Sequence, residues 1–409
     1  MDGAEAASRT GLVKLVLAQG ISASGDTFLL TAASIAIFRE TGSPTAVSLL
    51  LGLAAVPTVL LGPFAGAVAD WYSRLRIMIA ADLLSAAACL AGLAILPFAP
   101  LTATVFLSVG MVYSLSTFYR PAAQALLPAI AGSGQLGRAN SALRLATSLA
   151  SIIGPAGAGL IAGRSGFSLV LLLNGASFLA SAGLVALIRG AGGTLASGAR
   201  HSPLADALAG LEYARKSHRI RIVISAIGLT IMVGTVVNAG TLPLVSRELD
   251  LSASRYGALL AVEGAGAMCL AVVFMVLGPR LKLLTTGAGA LLAVGASTLA
   301  LGSAPGFLFA AAAIAVQGMS VVALQVAFAS YLQQEAADAF RGRVMALTSM
   351  VASVAGILGF AAAGPLIDAI GVREAFAVAG GLICLASIPV ITLAWTTARL
   401  RPAAETGDV

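Results

Sequence analysis

Twelve stretches of roughly 18 or more predominantly apolar residues run through this chain, bounded by charges, Pro or Gly, the first from Val16 to Phe38 and the last from Ala375 to Trp395. A helix rises about 1.5 Å per residue, so about 20 residues cross the ~30 Å hydrocarbon layer of a bilayer. No water reaches backbone N–H and C=O groups there, which leaves helices or closed barrels as the only spanning elements. Barrel strands alternate polar and apolar residues over about ten positions. These runs are continuous and rich in Ala, Leu and Gly, so they predict helices. With 59% hydrophobic and 10% charged residues, the chain is excluded both from the disordered class and from most soluble folds.

Basic residues set the orientation, because short cytoplasmic loops collect Lys and Arg. If the N-terminus is cytoplasmic, 17 of the 24 Lys and Arg fall on the inner face, five on the outer face, and Arg120 and Arg144 inside the membrane. An even number of spans with both termini inside follows. The net charge of +7 is then a sign of topology. No basic cluster stands on a soluble domain, so nucleic acid is not an expected partner.

The longest polar interval, Arg189 to Arg219, divides the spans into six and six. The expected organisation is an N-terminal six-helix lobe over 1–188, a cytoplasmic linker over 189–219, a C-terminal lobe over 220–398 and a cytoplasmic tail over 399–409. Within the linker, Leu204, Leu208 and Leu211 fit one face of a short amphipathic helix. Shifting the second half by 205 residues aligns Gly137-Arg138 with Gly342-Arg343 and Gly154 with Gly359, and ten of the thirty positions from Gly137 to Gly166 are identical. A parallel six-helix repeat is one way that transporters place a site between two rocking lobes.

Other function classes find little support. His201 and His218 are the only histidines and make no metal constellation, and neither a GxSxG elbow nor a Walker GxxxxGK[ST] loop occurs. No enzyme activity, metal or cofactor is expected. Cys89, Cys269 and Cys384 lie in apolar spans as small hydrophobes, without CxxC spacing. The first apolar run is long enough to span and reads as a retained helix, not a cleaved signal.

Three groups of residues carry a family resemblance. The first predicted inner loop reads Gly66-Ala-Val-Ala-Asp70-Trp71-Tyr72-Ser73-Arg74-Leu75-Arg76. It resembles the major facilitator superfamily signature G-x-x-x-D-[RK]-x-G-[RK]-[RK], with Gly66, Asp70 and Arg74 in register and departures at Trp71, Ser73 and Leu75. The fifth span contains Gly154-Pro155-Ala156-Gly157-Ala158-Gly159, similar to the G-P-x-x-G-G element of the antiporter branch, with Ala158 in place of a glycine. Gly25-Asp26, Phe118-Tyr-Arg-Pro121, Ala139-Asn140, Leu242-Pro243 and Arg341-Gly-Arg-Val-Met345 resemble the branch that contains enterobactin exporters and macrolide-efflux proteins. The resemblance implies a twelve-helix all-α membrane protein of two pseudo-symmetric lobes, in a bacterial inner or plasma membrane. It further implies proton-driven efflux of an amphipathic small molecule such as a drug, a siderophore or a secreted metabolite. An importer or facilitator of the same fold is the alternative.

Charges inside a bilayer cost at least ~2.5–3.5 kcal/mol each and therefore need partners or purposes. Five qualify here: Asp26, Asp82, Arg120, Arg144 and Glu263. The depths of Asp26 and Arg120 along their helices permit a buried pair, with Gln124 one turn further along; this pair either exchanges a proton or fixes the lobe as a permanent ion pair. Glu263 has no basic residue in the spans of its half, so it is a candidate for proton or cationic-substrate binding, or for a neutral packing role. Asp82 and Arg144 are expected to join Asp70 and Arg74 in a gating network. In the fifth span, Gly154, Pro155 and Gly159 are expected to let the helix approach a partner across the lobes. Gln317, Gln325, Asn238, Tyr113 and Phe118 are further cavity candidates. The expected partners are a small-molecule substrate, protons and the lipid bilayer, with the chain as a monomer.

Overall fold

The structure is a computed structural model that describes residues 2–131, 135–162, 166–188, 211–277 and 281–400. Six long helices precede the linker: α1 (Asp2–Thr41), α2 (Pro44–Trp71), α3 (Arg74–Ile95), α4 (Leu101–Ala131), α5 (Leu136–Ala162) and α6 (Phe167–Ala186). Six follow: α7 (His218–Pro243), α8 (Ala253–Leu277), α9 (Leu283–Gly302), α10 (Phe307–Glu335), α11 (Arg341–Ile370) and α12 (Val372–Leu400). All twelve contain a segment long and apolar enough to cross a membrane, so the chain is an all-α multi-pass membrane protein, as its apolar runs require. Residues 189–210 and 401–409 lie outside the described residues, and with them most of the expected linker helix and the tail; of the linker, Leu211 to Lys216 is helical.

The helices outrun the apolar stretches. α1 begins at Asp2 where hydropathy suggested Val16, and α10 continues to Glu335. Hydropathy ends where charges begin, whereas the i→i−4 ladder continues wherever its groups can pair. Local sequence then sets the turns. Ser43 caps α2 by accepting a bond from the Ala46 N–H at 3.3 Å, with Pro44 in the first turn, where a missing N–H loses nothing. Gly42 just before it has a φ of +64°, which a residue with a Cβ adopts reluctantly.

Packing repeats after six helices. In the first set α1 lies on α4, α5 and α6, while α3 lies on α4 and α6; in the second, α7 lies on α11 and α12, while α9 lies on α10 and α12. The repeat reaches single atoms. A Cβ on Gly154 of α5 would collide with Thr27 Oγ1 and come within 2.8 Å of the Ser24 carbonyl of α1. A Cβ on Gly359 of α11 would meet the Thr235 hydroxyl, 2.6 Å away, and collide with the Met232 carbonyl of α7. In both halves the threonine donates back to the same carbonyl three residues earlier, at 3.1 Å from Thr27 to Ser24 and 2.7 Å from Thr235 to Met232. Apolar surface is no driving force between helices in lipid, so close approach through small residues supplies much of the cohesion. Leu60, Phe64, Leu160 and Leu385 stay exposed, as a lipid-facing surface permits.

The contacts group into two compact units, Met1–Ala199 with Val245–Gly264, and Arg200–Leu244 with Ala265–Val409. The first half of α8 thus belongs to the first unit.

Candidate functional site

Polar residues recur at helical spacing on four helices of the first unit. On α1 they are Gln19, Ser22 and Asp26; on α3, Asp82 and Ser85; on α4, Tyr113, Ser116, Arg120 and Gln124; on α5, Asn140, Arg144 and Thr147. Steps of three, four or seven keep each set on one helix face. The four faces enclose a cavity of about 360 Å³ that all these residues line. Asp26, Arg120 and Gln124 therefore share one space, and Asp82 and Arg144 join them there.

Asp26 lines this space and is only 7% exposed. Ser116 donates to its Oδ2 at 3.3 Å, and Tyr113 donates to its backbone carbonyl at 3.2 Å. Its Oδ1 is buried and receives no hydrogen bond. Gly25 permits this placement: a Cβ there would collide with Ser177 Oγ and Asn174 Oδ1 of α6, so glycine lets α6 close behind α1. On the other side Thr27 donates to the Ala150 carbonyl of α5 at 2.9 Å. Asp26 and Arg120, expected as a buried pair, share the cavity without closing an ion contact. No contact of 4 Å or less joins them among the ion pairs of the described residues, and the Arg120 side chain is exposed. A guanidinium reaches several ångströms from its backbone, so equal depth on two helices does not decide contact.

The Major Facilitator Superfamily model matches residues 15–359. The chain belongs to that superfamily. It is 27% identical over 398 residues to an uncharacterised MFS-type transporter, YfiS, of Bacillus subtilis, covering 94% of this chain and 93% of the relative. It is 26% identical over 408 residues to the multidrug efflux pump Tap of Mycobacterium tuberculosis, covering 96% and 95%. Among solved structures, the nucleoside transporter NupG superposes with a TM-score of 0.77 at 13% identity, covering 94% of this chain and 99% of that one. That likeness concerns the fold alone. The chain is thus a secondary transporter of small molecules across a membrane.

The superfamily loop motif is placed differently from the sequence expectation. Arg74 Nη1 donates to the Ala125 carbonyl of α4 at 2.8 Å, which ties the start of α3 to the Pro128-interrupted end of α4. Asp70 is exposed. A Cβ on Gly66 would meet nothing within 4 Å, so close packing does not account for that glycine. Asp82 and Arg144, expected beside this loop, instead line the cavity. Asp82 lies two turns beyond the loop on α3 and Arg144 sits on α5, and both share the cavity with Asp26.

The antiporter-like element of the superfamily has two working faces. Gly154 accommodates α1, as described above. Gly159, one and a half turns on, faces the other way: its Cβ would lie 2.9 Å from the Ala253 carbonyl and 3.0 Å from Gly257 Cα on α8. Gly257 in turn has no room for a Cβ because the Pro155 carbonyl occupies that position. Glu263 follows on the same half of α8, partly buried, and does not line the Asp26 cavity. Of the remaining candidates, Tyr113 lines the cavity. Gln317 does not act as a cavity group: it is 4% exposed and accepts bonds from Ser297 and Thr298, which fastens α10 to α9. Gln325 and Asn238 are exposed.

Proposed function

We propose that this transporter is a proton-coupled exporter of amphipathic small molecules that works by alternating access between lobes 1–188 and 220–398, with both termini cytoplasmic and the chain acting as a monomer. The observation that carries the reading is Asp26, buried within the first lobe with one carboxyl oxygen unpartnered and, among the described residues, no cation in ion-pair contact. A carboxylate kept there permanently charged is expensive, and taking up a proton removes most of that expense. Arg120 lines the same cavity and brings positive charge near Asp26 when the proton leaves. Glu263 is the second proton or substrate group, and Gly66, Asp70 and Arg74 form the gating loop. Asp82 and Arg144 act with Asp26, not with the loop. The pump Tap, whose name describes multidrug efflux, supports the outward direction, as does the resemblance to enterobactin exporters and macrolide-efflux proteins.

Everted membrane vesicles with an imposed pH gradient test this. Acid-inside vesicles that carry the wild-type chain should accumulate a fluorescent amphipathic compound until a protonophore is added. Asp26→Asn should lose the gradient-driven part. Accumulation that ignores the protonophore, or a fully coupled Asp26→Asn, would overturn the reading.

A further inference from the structure

The first-lobe cavity presents two cations and sets back its acids. Arg120 on α4 and Arg144 on α5 both line it, and both side chains are exposed, whereas Asp26 is 7% exposed and Asp82 2%. Arg120 lies eleven residues before the end of α4 and Arg144 eight after the start of α5, about 16 Å and 12 Å along the two axes. At those depths a charge that meets lipid is costly, so both belong to the cavity. Among the described residues neither guanidinium makes a hydrogen bond or an ion pair of 4 Å or less. Arginines nearer the helix ends are fastened: Arg74 to the Ala125 carbonyl, Arg373 to the Gly302 carbonyl and Arg219 to Glu335. Arg120 and Arg144 brace no neighbouring helix in this way, and their planar forks of donors stay open. Each also has an amide one turn away on the same cavity wall, Gln124 for Arg120 and Asn140 for Arg144, about 6 Å along the axis. Two helices therefore each offer a guanidinium and an amide to the same space.

We propose that Arg120 and Arg144, with Gln124 and Asn140, bind the carboxylate of an amphipathic organic anion, whose apolar body rests against Tyr113, Tyr119 and Leu143 of the same cavity. Guanidinium and carboxylate match in shape, and their charge-assisted bonds are about twice as strong as neutral ones. In an enclosed space of about 360 Å³ that attraction exceeds its value in bulk water. A neutral amide of the same shape brings no charge to the forks, and an organic cation meets the arginines before the recessed acids. A monoanion neutralises one of the two positive charges and leaves the other to face Asp26. The assignment rests on the proposed transport of amphipathic molecules and names their charge; it is independent of proton exchange at Asp26.

The test uses the full-length protein in phosphatidylcholine nanodiscs at neutral pH and three ligands of one shape: 2-naphthoate, an anion; 2-naphthamide, neutral; and naphthalene-2-carboxamidine, a cation. Calorimetry reads their affinities with no gradient imposed. Wild type should bind naphthoate at least tenfold more tightly than either of the others, a comparison that needs no variant to fold. Arg120→Gln and Arg144→Gln should each weaken naphthoate binding at least tenfold, and Lys at either position, which keeps the charge without the fork, should recover part of the loss. Arginines confined to a structural role would leave the wild type indifferent to ligand charge. Equal affinity for naphthoate and naphthamide, tighter binding of the amidine, or wild-type affinity for naphthoate in Arg144→Gln would each overturn the proposal. If naphthoate fails to bind while Asp26→Asn still loses gradient-driven accumulation in everted vesicles, the anion site falls and the proton-coupled reading stands. If Asp26→Asn keeps that accumulation while naphthoate binds through the arginines, the anion site stands and proton coupling at Asp26 falls.

Discussion

Gly154→Ala adds one methyl group where α5 crosses α1, and the outcome follows from the distances. The new Cβ would fall on Thr27 Oγ1 and stand 2.8 Å from the Ser24 carbonyl and 2.9 Å from the Phe28 nitrogen. Contacts of this kind become attractive near ~3.5 Å, so the backbones must part by roughly 0.6–0.7 Å. Overpacking of this size costs ~1–3 kcal/mol. Thr27 must also turn away from the Ala150 carbonyl, at ~0.6 kcal/mol for a hydrogen bond in a membrane protein. The gain in helix propensity from Gly to Ala is at most ~1 kcal/mol, which leaves a net loss of ~1–3 kcal/mol. At ~2.1 cal/mol/K per residue, unfolding entropy for a chain of this length lowers Tm by about 1–4 °C. Gly157→Ala is the matched control on the same helix, because its Cβ would sit 3.6 Å from Phe28 Cδ2 in ordinary contact; it should be neutral or slightly stabilising. The assay is thermal unfolding of detergent-purified protein, with gradient-driven transport measured alongside. Since Asp26 lies between Ser24 and Thr27, the Gly154 variant should also lose transport more steeply than stability. A Gly154 variant as stable and active as wild type, or a Gly157 variant that suffers equally, would refute the reasoning.

Gly359→Ala, the counterpart in the second half, should lower Tm comparably in the same assay, because it meets the Met232 and Thr235 oxygens. Gly371 terminates α11 at φ +92° and ψ 161°, a region open almost only to glycine, so Gly371→Ala should cost ~1–3 kcal/mol in thermal unfolding while coupled transport survives. Arg74→Ala removes a charge-assisted bond to the Ala125 carbonyl; it should cost about 1–2 kcal/mol, and Lys should restore part of it, as measured by thermal unfolding. Glu263→Gln should alter the pH profile of transport without changing Tm by more than a degree or two; an unchanged profile assigns Glu263 to packing.

The fold could be read because its governing signal is one-dimensional: a run of apolar residues long enough to cross the bilayer is visible without knowing what it touches. That Gly154 and Gly359 serve close helix approach was legible in their shared register, but the partner was not: Gly154 was expected to meet a helix across the lobes and packs on α1 of its own half. The site was legible only to the level of its members. Asp26, Arg120 and Gln124 do share a cavity, because depth along a helix follows from counting residues. Contact depends on rotation about the helix axis and on side-chain reach, which counting does not supply, and Asp26 and Arg120 share the cavity without an ion contact of 4 Å or less. The same gap sent Asp82 and Arg144 to the loop network. A helical-wheel comparison would have found them: Asp82 with Ser85, and Asn140 with Arg144 and Thr147, form polar faces of the sort that Gln19, Ser22 and Asp26 form on α1.

The two halves repeat their scaffold but not their chemistry. Thr27 and Thr235 make matching bonds 208 residues apart, and the same offset carries Asp26 to Gly234, whose missing Cβ would meet nothing within 4 Å. The second half therefore keeps the glycine-on-threonine crossing and lacks the acid. Its buried amide, Gln317, is spent on α9 through Ser297 and Thr298, where the first half leaves Gln19 Oε1 without a partner. A duplicated packing motif fixes how helices cross and is indifferent to what lies one residue away on the next face. That independence lets the first lobe hold three unpaired acceptors around Asp26, while in the second half, among the described residues, the Tyr331 hydroxyl is the buried group left without a partner. It also means that grafting an acid at Gly234 would burden the second lobe with a charge for which it has no matching Arg120, and proton coupling should stay with Asp26 in such a variant.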